Sequence, residues 1–286
     1  MGIALGLGAA LSWGFADYFA SVASRAVGAL RVVLGFHLVA LIPLAILVLA
    51  TNALAHLKLD QLPVFVLLGV VGWLSYLSFY GALAIGPISV LSPIVSGYAA
   101  VTVVLAVLIS SETLSAGETA AVVITILGAM VASANVRAIL GTHLERRSAV
   151  GFALALAAMA LLGGFVFGVS YYHRSIGWLG PIFLARAFSA VFLLGQAAVT
   201  GELRRGLPRN VRPLIVLLAF LDTAGYVCFN IGVRHAPTAV VATASAPYAV
   251  VPVLMGSLLL RERPSGVQWL GVSLVLAGLV TLGLTS

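Results

Sequence analysis

The sequence predicts an all-α membrane protein, ten transmembrane helices arranged as two inverted five-helix repeats around a central cavity. Three observations predict it. Hydrophobic residues make up 62% of the 286 and charged residues only 8%, whereas soluble domains carry about 25% charge. The apolar runs are long enough to cross a hydrocarbon core as helices, which takes about 20 residues, and they lack the ten-residue alternation of a barrel. The chain also repeats itself at a fixed offset.

In chain order, charge, proline and glycine divide the apolar runs into spans at 2–23, 29–50, 62–84, 87–110, 116–136, 149–172, 178–199, 212–233, 237–260 and 265–284. Spans of this length leave no room for a separate soluble domain. Two connections are barely turns. Ala84-Ile85-Gly86-Pro87 joins the third and fourth helices, and Arg234-His235-Ala236-Pro237 joins the eighth and ninth. Proline is at home in a first helical turn, where its missing N–H would have had no partner.

Those joints expose the repeat. An ungapped offset of 150 superposes Pro87 on Pro237, Gly14-Phe15 on Gly164-Phe165, Tyr76 on Tyr226 and Phe79 on Phe229. It also matches Tyr98-Ala99 with Tyr248-Ala249, Glu112 with Glu262, Ser115 with Ser265 and Gly128 with Gly278. The halves are therefore 1–136 and 149–286. An odd number of spans per half makes the second half enter from the opposite face, so a two-fold axis lies in the membrane plane. Secondary transporters are built this way. As the duplication supplies both halves in one chain, a monomer suffices.

Charge sets the partners. The net charge of +7 does not point to nucleic acid, because the arginines sit singly or in small clusters beside apolar spans and read as topology anchors in a lipid bilayer. Arg25, Arg31, Arg137, Arg146, Arg147, Arg204, Arg205, Arg209, Arg212, Arg261 and Arg263 fall in one set of loops, and only Lys58, Arg174 and Arg234 in the other. The positive-inside rule puts the rich set in the cytoplasm and both termini outside. Cys228 is the only cysteine, so no internal disulfide forms. No phosphate-binding glycine loop with lysine, nucleophile elbow or metal-ligand cluster occurs, so the sequence predicts no cofactor, no metal and no enzyme.

Ionisable groups inside spans are costly and call for a reason. Asp17, His37, Arg186 and Asp222 are the four that stand out. Asp17 and Asp222 are the candidates for a proton-coupling or cation-binding carboxylate, and His37 and Arg186 read as structural. Asp222, Tyr226 and Asn230 fall at i, i+4 and i+8, one polar stripe on the eighth helix. Trp73, Tyr76 and Tyr80 fall at i, i+3 and i+7 on the third, which the repeat relates to the eighth. Together with Trp13, Tyr98 and Tyr248 they predict a tyrosine-walled pocket at mid-membrane for a small amphipathic solute. Pro93, Pro247 and Pro252 lie inside the fourth and ninth helices, where each frees a carbonyl and kinks the helix, a candidate hinge.

The run Gly81-Ala82-Leu83-Ala84-Ile85-Gly86-Pro87-Ile88-Ser89-Val90, continuing through Pro93 to Ser111-Glu112-Thr113-Leu114-Ser115, has a partner in Ala236-Pro237-Thr238-Ala239-Val240 and Arg261-Glu262-Arg263-Pro264-Ser265. With Trp13-Gly14, these runs resemble the EamA-type branch of the drug/metabolite transporter superfamily over essentially the whole chain. The resemblance implies a ten-helix carrier whose cavity is lined by helices 1, 3, 4, 6, 8 and 9, with helices 5 and 10 peripheral. It implies export of amino acids and other metabolites across a bacterial inner membrane, aromatic amino acids in YddG-like members, and cytoplasmic termini in conflict with the charge count. The rival expectation is a multidrug exporter that couples lipophilic cations to protons.

Overall fold

A computed structural model of the chain describes residues 1–133, 146–259 and 265–285. Arg137, Arg261, Glu262, Arg263 and Pro264 lie outside the described residues. The helices are α1 (Gly2–Val27), α2 (Ala29–Thr51), α3 (Leu62–Ile85), α4 (Ile88–Ser110), α5 (Ala116–Ser133), α6 (Arg146–Tyr171), α7 (Leu179–Val199), α8 (Arg212–Gly232), α9 (Thr238–Leu259) and α10 (Gly266–Thr285). Among the described residues eight of them are long and apolar enough to cross a membrane, while α5 and α10 are shorter apolar helices. No strand occurs among the described residues.

Local chemistry sets the ends. Gly28, at φ 88° and ψ 150°, lets the chain leave α1 and enter α2 without an intervening loop. Pro87, extended at φ −71° and ψ 133°, opens α4 directly after α3. Ser115 and Ser265 recur because both start helices with a reciprocal capping box. The Ser115 N–H donates to Glu118 Oε2 (2.8 Å) while the Glu118 N–H donates to Ser115 Oγ (3.2 Å). Ser265 and Gln268 repeat the pattern at 2.8 and 3.3 Å.

The helices pack as an exchange of halves requires. α1 lies against α8 as α3 lies against α6, α2 pairs with α7, α5 pairs with α10, and α4 crosses α9. Gly128 meets the α10 backbone at Val275, and Gly278 meets Thr125 of α5. Under the offset of 150 these are one contact seen from both halves, and small residues there let two backbones approach closely.

The first two helices of each half pair one residue earlier than the ungapped offset. Gly14 abuts the carbonyl of Tyr248 and the side chain of Val251, and the glycine that abuts Tyr98 and Val101 is Gly163, not Gly164. The positive-φ residues agree, Gly28 (88°) with Gly177 (74°) and Asn52 (51°) with Gly201 (73°). The offset is therefore 149 through α2 and 150 from α3 onward, the extra residue falling in the connection to α8.

α4 is interrupted at Gly97 and α9 by a tight helical turn over Ala246–Ala249. Pro93, Pro247 and Pro252 lie beside these breaks. The carbonyl that Pro93 leaves without its helical N–H is that of Ser89. It accepts from Gln268 Nε2 of α10 at 2.9 Å and is bound to α10 instead of facing a solute.

Candidate functional site

Where α1, α3, α4, α6, α8 and α9 converge at mid-span they enclose a cavity with about 40 Å³ of space for water-sized spheres. That is room for about three waters. Its wall brings together eight of the ten residues expected to bind substrate: Trp13, Asp17, Tyr76, Tyr80, Tyr98, Asp222, Tyr226 and Tyr248. Phe79, Leu162 and Val166 complete it.

α1 contributes Trp13 and Asp17, four residues apart and so on one helical face. The Trp13 indole N–H donates to the Asp222 main-chain oxygen (3.2 Å). Its ring meets Tyr226 edge-on at 5.0 Å and Tyr98 at 6.1 Å. This seat exists because α8 carries Gly225 there, where any side chain would run into the indole. Asp17 is buried, and its Oδ2 accepts from the Ser92 hydroxyl (3.0 Å), on the residue before Pro93. Among the described residues no basic side chain pairs with Asp17.

α3 and α8 supply the centre. The Tyr76 hydroxyl donates to Asp222 Oδ1 (3.0 Å) and lies 3.3 Å from the Tyr226 hydroxyl. Asp222 Oδ2 is bound by Arg186 Nη2, a fully buried ion pair from α7 to α8. The guanidinium carbon sits 5.0 Å over the Tyr226 ring, inside cation–π range. Arg186, which the sequence reads as structural, is the counter-charge of a cavity residue. The legible signal is a mid-span arginine in a chain with mid-span aspartates, Asp17 and Asp222, because such groups pair with one another. His37 is its repeat partner at the offset of 149. It is buried, bonded through Nδ1 to the Val33 oxygen (2.9 Å) and packed edge-on against Tyr76 at 5.1 Å.

At the α4–α9 crossing, the Tyr98 hydroxyl shares a hydrogen bond with Ser245 Oγ (2.7 Å), and the Tyr248 hydroxyl donates to the Ser92 oxygen (3.5 Å). The two tyrosines are repeat partners, each reaching across to the other half.

Two expected residues fall elsewhere. Trp73 turns away from the cavity to α7, where its indole N–H donates to Gln196 Oε1 (2.7 Å) and its ring stacks on Phe192 at 5.7 Å. Asn230 is buried beyond the cavity wall, its amide N–H donating to the Tyr226 oxygen (2.9 Å). A stripe at i, i+4, i+8 drifts by about 40° for every four residues. Asn230 has therefore rotated off the face that Asp222 presents.

Charge is distributed unequally. Structurally, the α6 partners of Trp13 and Asp17 are Leu162 and Val166, so one half presents an indole and a carboxylate where the other presents two aliphatic groups. Asp222 is neutralised by Arg186. Asp17 is the wall's one carboxylate without a cationic partner among the described residues.

A second, larger space of about 850 Å³, counted in the same way, opens at one end of the molecule between the ends of α4, α6, α8 and α9. It is a polar vestibule, with Glu112, His173, Arg234 and His235 in its walls. Glu112 also fixes one edge, its two oxygens accepting the Thr238 and Ala239 N–H groups at the start of α9 (3.0 and 2.9 Å).

Among known proteins the fold has clear relatives. One chain, described only as a protein in a crystal structure, is similar with a TM-score of 0.73 and 16% identity, covering 99% of this chain and 96% of that one. No curated protein matches the chain. The EamA-like transporter family matches residues 1–134 and again 149–284, once for each half. Two matches in tandem, with the apolar helices of the described residues packed as an inverted repeat, establish that the chain belongs to the EamA-like transporter family, a family of multi-pass membrane transporters.

Proposed function

We propose that the protein is a secondary transporter that exports a small amphipathic metabolite by alternating access, amino acids and aromatic ones in particular being the favoured class, across a bacterial inner membrane. The observation that carries this reading is the mid-span cavity, to which both halves contribute and whose wall combines five tyrosines, a tryptophan and two carboxylates. Such a wall suits a solute with a flat apolar part and an ammonium group: the rings stack or meet it edge-on, and Asp17 offers a charge-assisted acceptor. At that size the cavity has room for water and no more, so a solute enters only as the helices part. A monomer contains everything the cycle requires.

The second reading is a lipophilic-cation exporter coupled to protons. It is favoured by one observation, that Asp17 is partnered by a hydroxyl and by no basic side chain among the described residues.

Counterflow in proteoliposomes separates the two. Radiolabelled aromatic and aliphatic amino acids are tested beside a lipophilic cation. Amino-acid counterflow lost in Tyr76→Ala supports the main reading. Cation flux abolished by Asp17→Asn, with no amino-acid flux in the parent, overturns it in favour of the second. Unchanged amino-acid flux in Tyr76→Ala overturns the pocket assignment.

A further inference from the structure

The two ends of the molecule are repeat partners in different states. α1 packs along α3, whereas their partners α6 and α8 scarcely meet. The vestibule opens in that gap, lined by Ser170, His173, Val233 and Ala236 among others. The offsets of 149 and 150 map these four onto Ser21, Ser24, Leu83 and Gly86 at the opposite face.

That opposite set is sealed. Ser21 and Ser24 are buried, and neither hydroxyl has a hydrogen-bond partner among the described residues. Dry, unpaired hydroxyls are unfavourable, and water recovers them as soon as the face opens. What opposes opening is Arg25, near the end of α1. Its Nε donates to the Leu83 oxygen (3.2 Å) and its Nη2 to the Gly86 oxygen (2.8 Å). These are among the last carbonyls of α3, which lack helical partners and favour a cation. One side chain thus ties α1 to α3 across the interface that is parted at the other end.

We propose that Arg25 is the latch that holds this face shut, and that Ser21 and Ser24 line the mouth that appears when it releases. The latch rests on the alternating-access reading above. Its test needs no substrate, so failure of the latch and failure of the substrate assignment are read separately.

The test uses full-length protein in lipid nanodiscs, where both faces meet water, with Cys228→Ser as background. His173→Cys, half-buried in the vestibule wall, and Ser21→Cys, buried at the other face, are labelled with a water-soluble maleimide. In the parent, His173→Cys reacts fast and Ser21→Cys slowly. Adding Arg25→Ala raises the rate at Ser21→Cys and lowers it at His173→Cys, changing their ratio by about tenfold, equivalent to about 1.4 kcal/mol. Arg25→Lys retains the charge, but its compact ammonium lacks the guanidinium fork, so it falls between parent and alanine and serves if Arg25→Ala does not fold. Arg209→Ala removes an exposed arginine from the same face and leaves the ratio unchanged. An unaltered ratio in both Arg25 variants, or an equal shift from Arg209→Ala, would each overturn the latch.

Discussion

Replacing Arg186 with glutamine removes the counter-charge of Asp222 while keeping most of the side-chain volume. The ion pair is fully buried, so the aspartate left behind cannot recover its solvation from water. Truncating one partner of a buried pair costs about 3–5 kcal/mol. Asp222→Asn costs a similar amount, by stranding the guanidinium. The double variant places two neutral amides where two charges stood and costs less than the sum of the singles, giving a coupling of at least about 2 kcal/mol. Loss of the guanidinium also removes its contact with the Tyr226 ring, worth about 2 kcal/mol when desolvated. That contribution appears in Arg186→Gln both alone and in the double variant, so it cancels from the coupling. The measurement is reversible unfolding in mixed detergent–dodecyl sulfate micelles, followed by far-ultraviolet circular dichroism. Single-variant costs that add to within about 0.5 kcal/mol in the double variant would refute the reasoning that the pair is a unit.

Three further substitutions probe other parts of the argument. Gly225→Ala forces a methyl group into the Trp13 indole and is expected to cost about 1–3 kcal/mol and to slow transport, read by unfolding and by counterflow. Glu112→Ala uncaps the start of α9 and costs about 1 kcal/mol, seen as faster amide exchange at Thr238 and Ala239. Trp73→Phe removes the bond to Gln196 outside the cavity, so it lowers stability by about 1 kcal/mol and leaves counterflow intact.

Much of the site was legible because chemistry in a bilayer is sparse. Mid-span Asp17 and Asp222, and the tyrosines of α3 and α8, stand out against a background where lipid penalises every polar group. The misplacements have geometric causes. Trp73 shares a helical stripe with Tyr76, yet that stripe is wide enough to touch both the cavity and α7, and contact with Gln196 decided its direction. Asn230 drifted off the stripe by helical phase. Arg186 reads as structural in the sequence because nothing in one dimension says that α7 passes beside Asp222. The ungapped offset concealed a one-residue slip that the matching contacts of Gly14 and Gly163, and the paired positive-φ residues at Gly28 and Gly177 and at Asn52 and Gly201, expose.

The sequence by itself determined the helices, their number, the duplication and the inversion. Those follow from hydropathy, from caps such as Ser115–Glu118, and from the odd count of spans per half, all of them local or periodic properties. Only the tertiary structure decided which groups meet: the Arg186–Asp222 pair, the partnering of Asp17 by Ser92, and the closure of one face around Arg25 while the other stands open. These contacts join residues far apart in the chain through helix rotations and tilts. Such rotations depend on close packing at small residues like Gly14, Gly163 and Gly225, where a single methyl group sets how near two helices come, and the pattern along the chain carries no record of that distance.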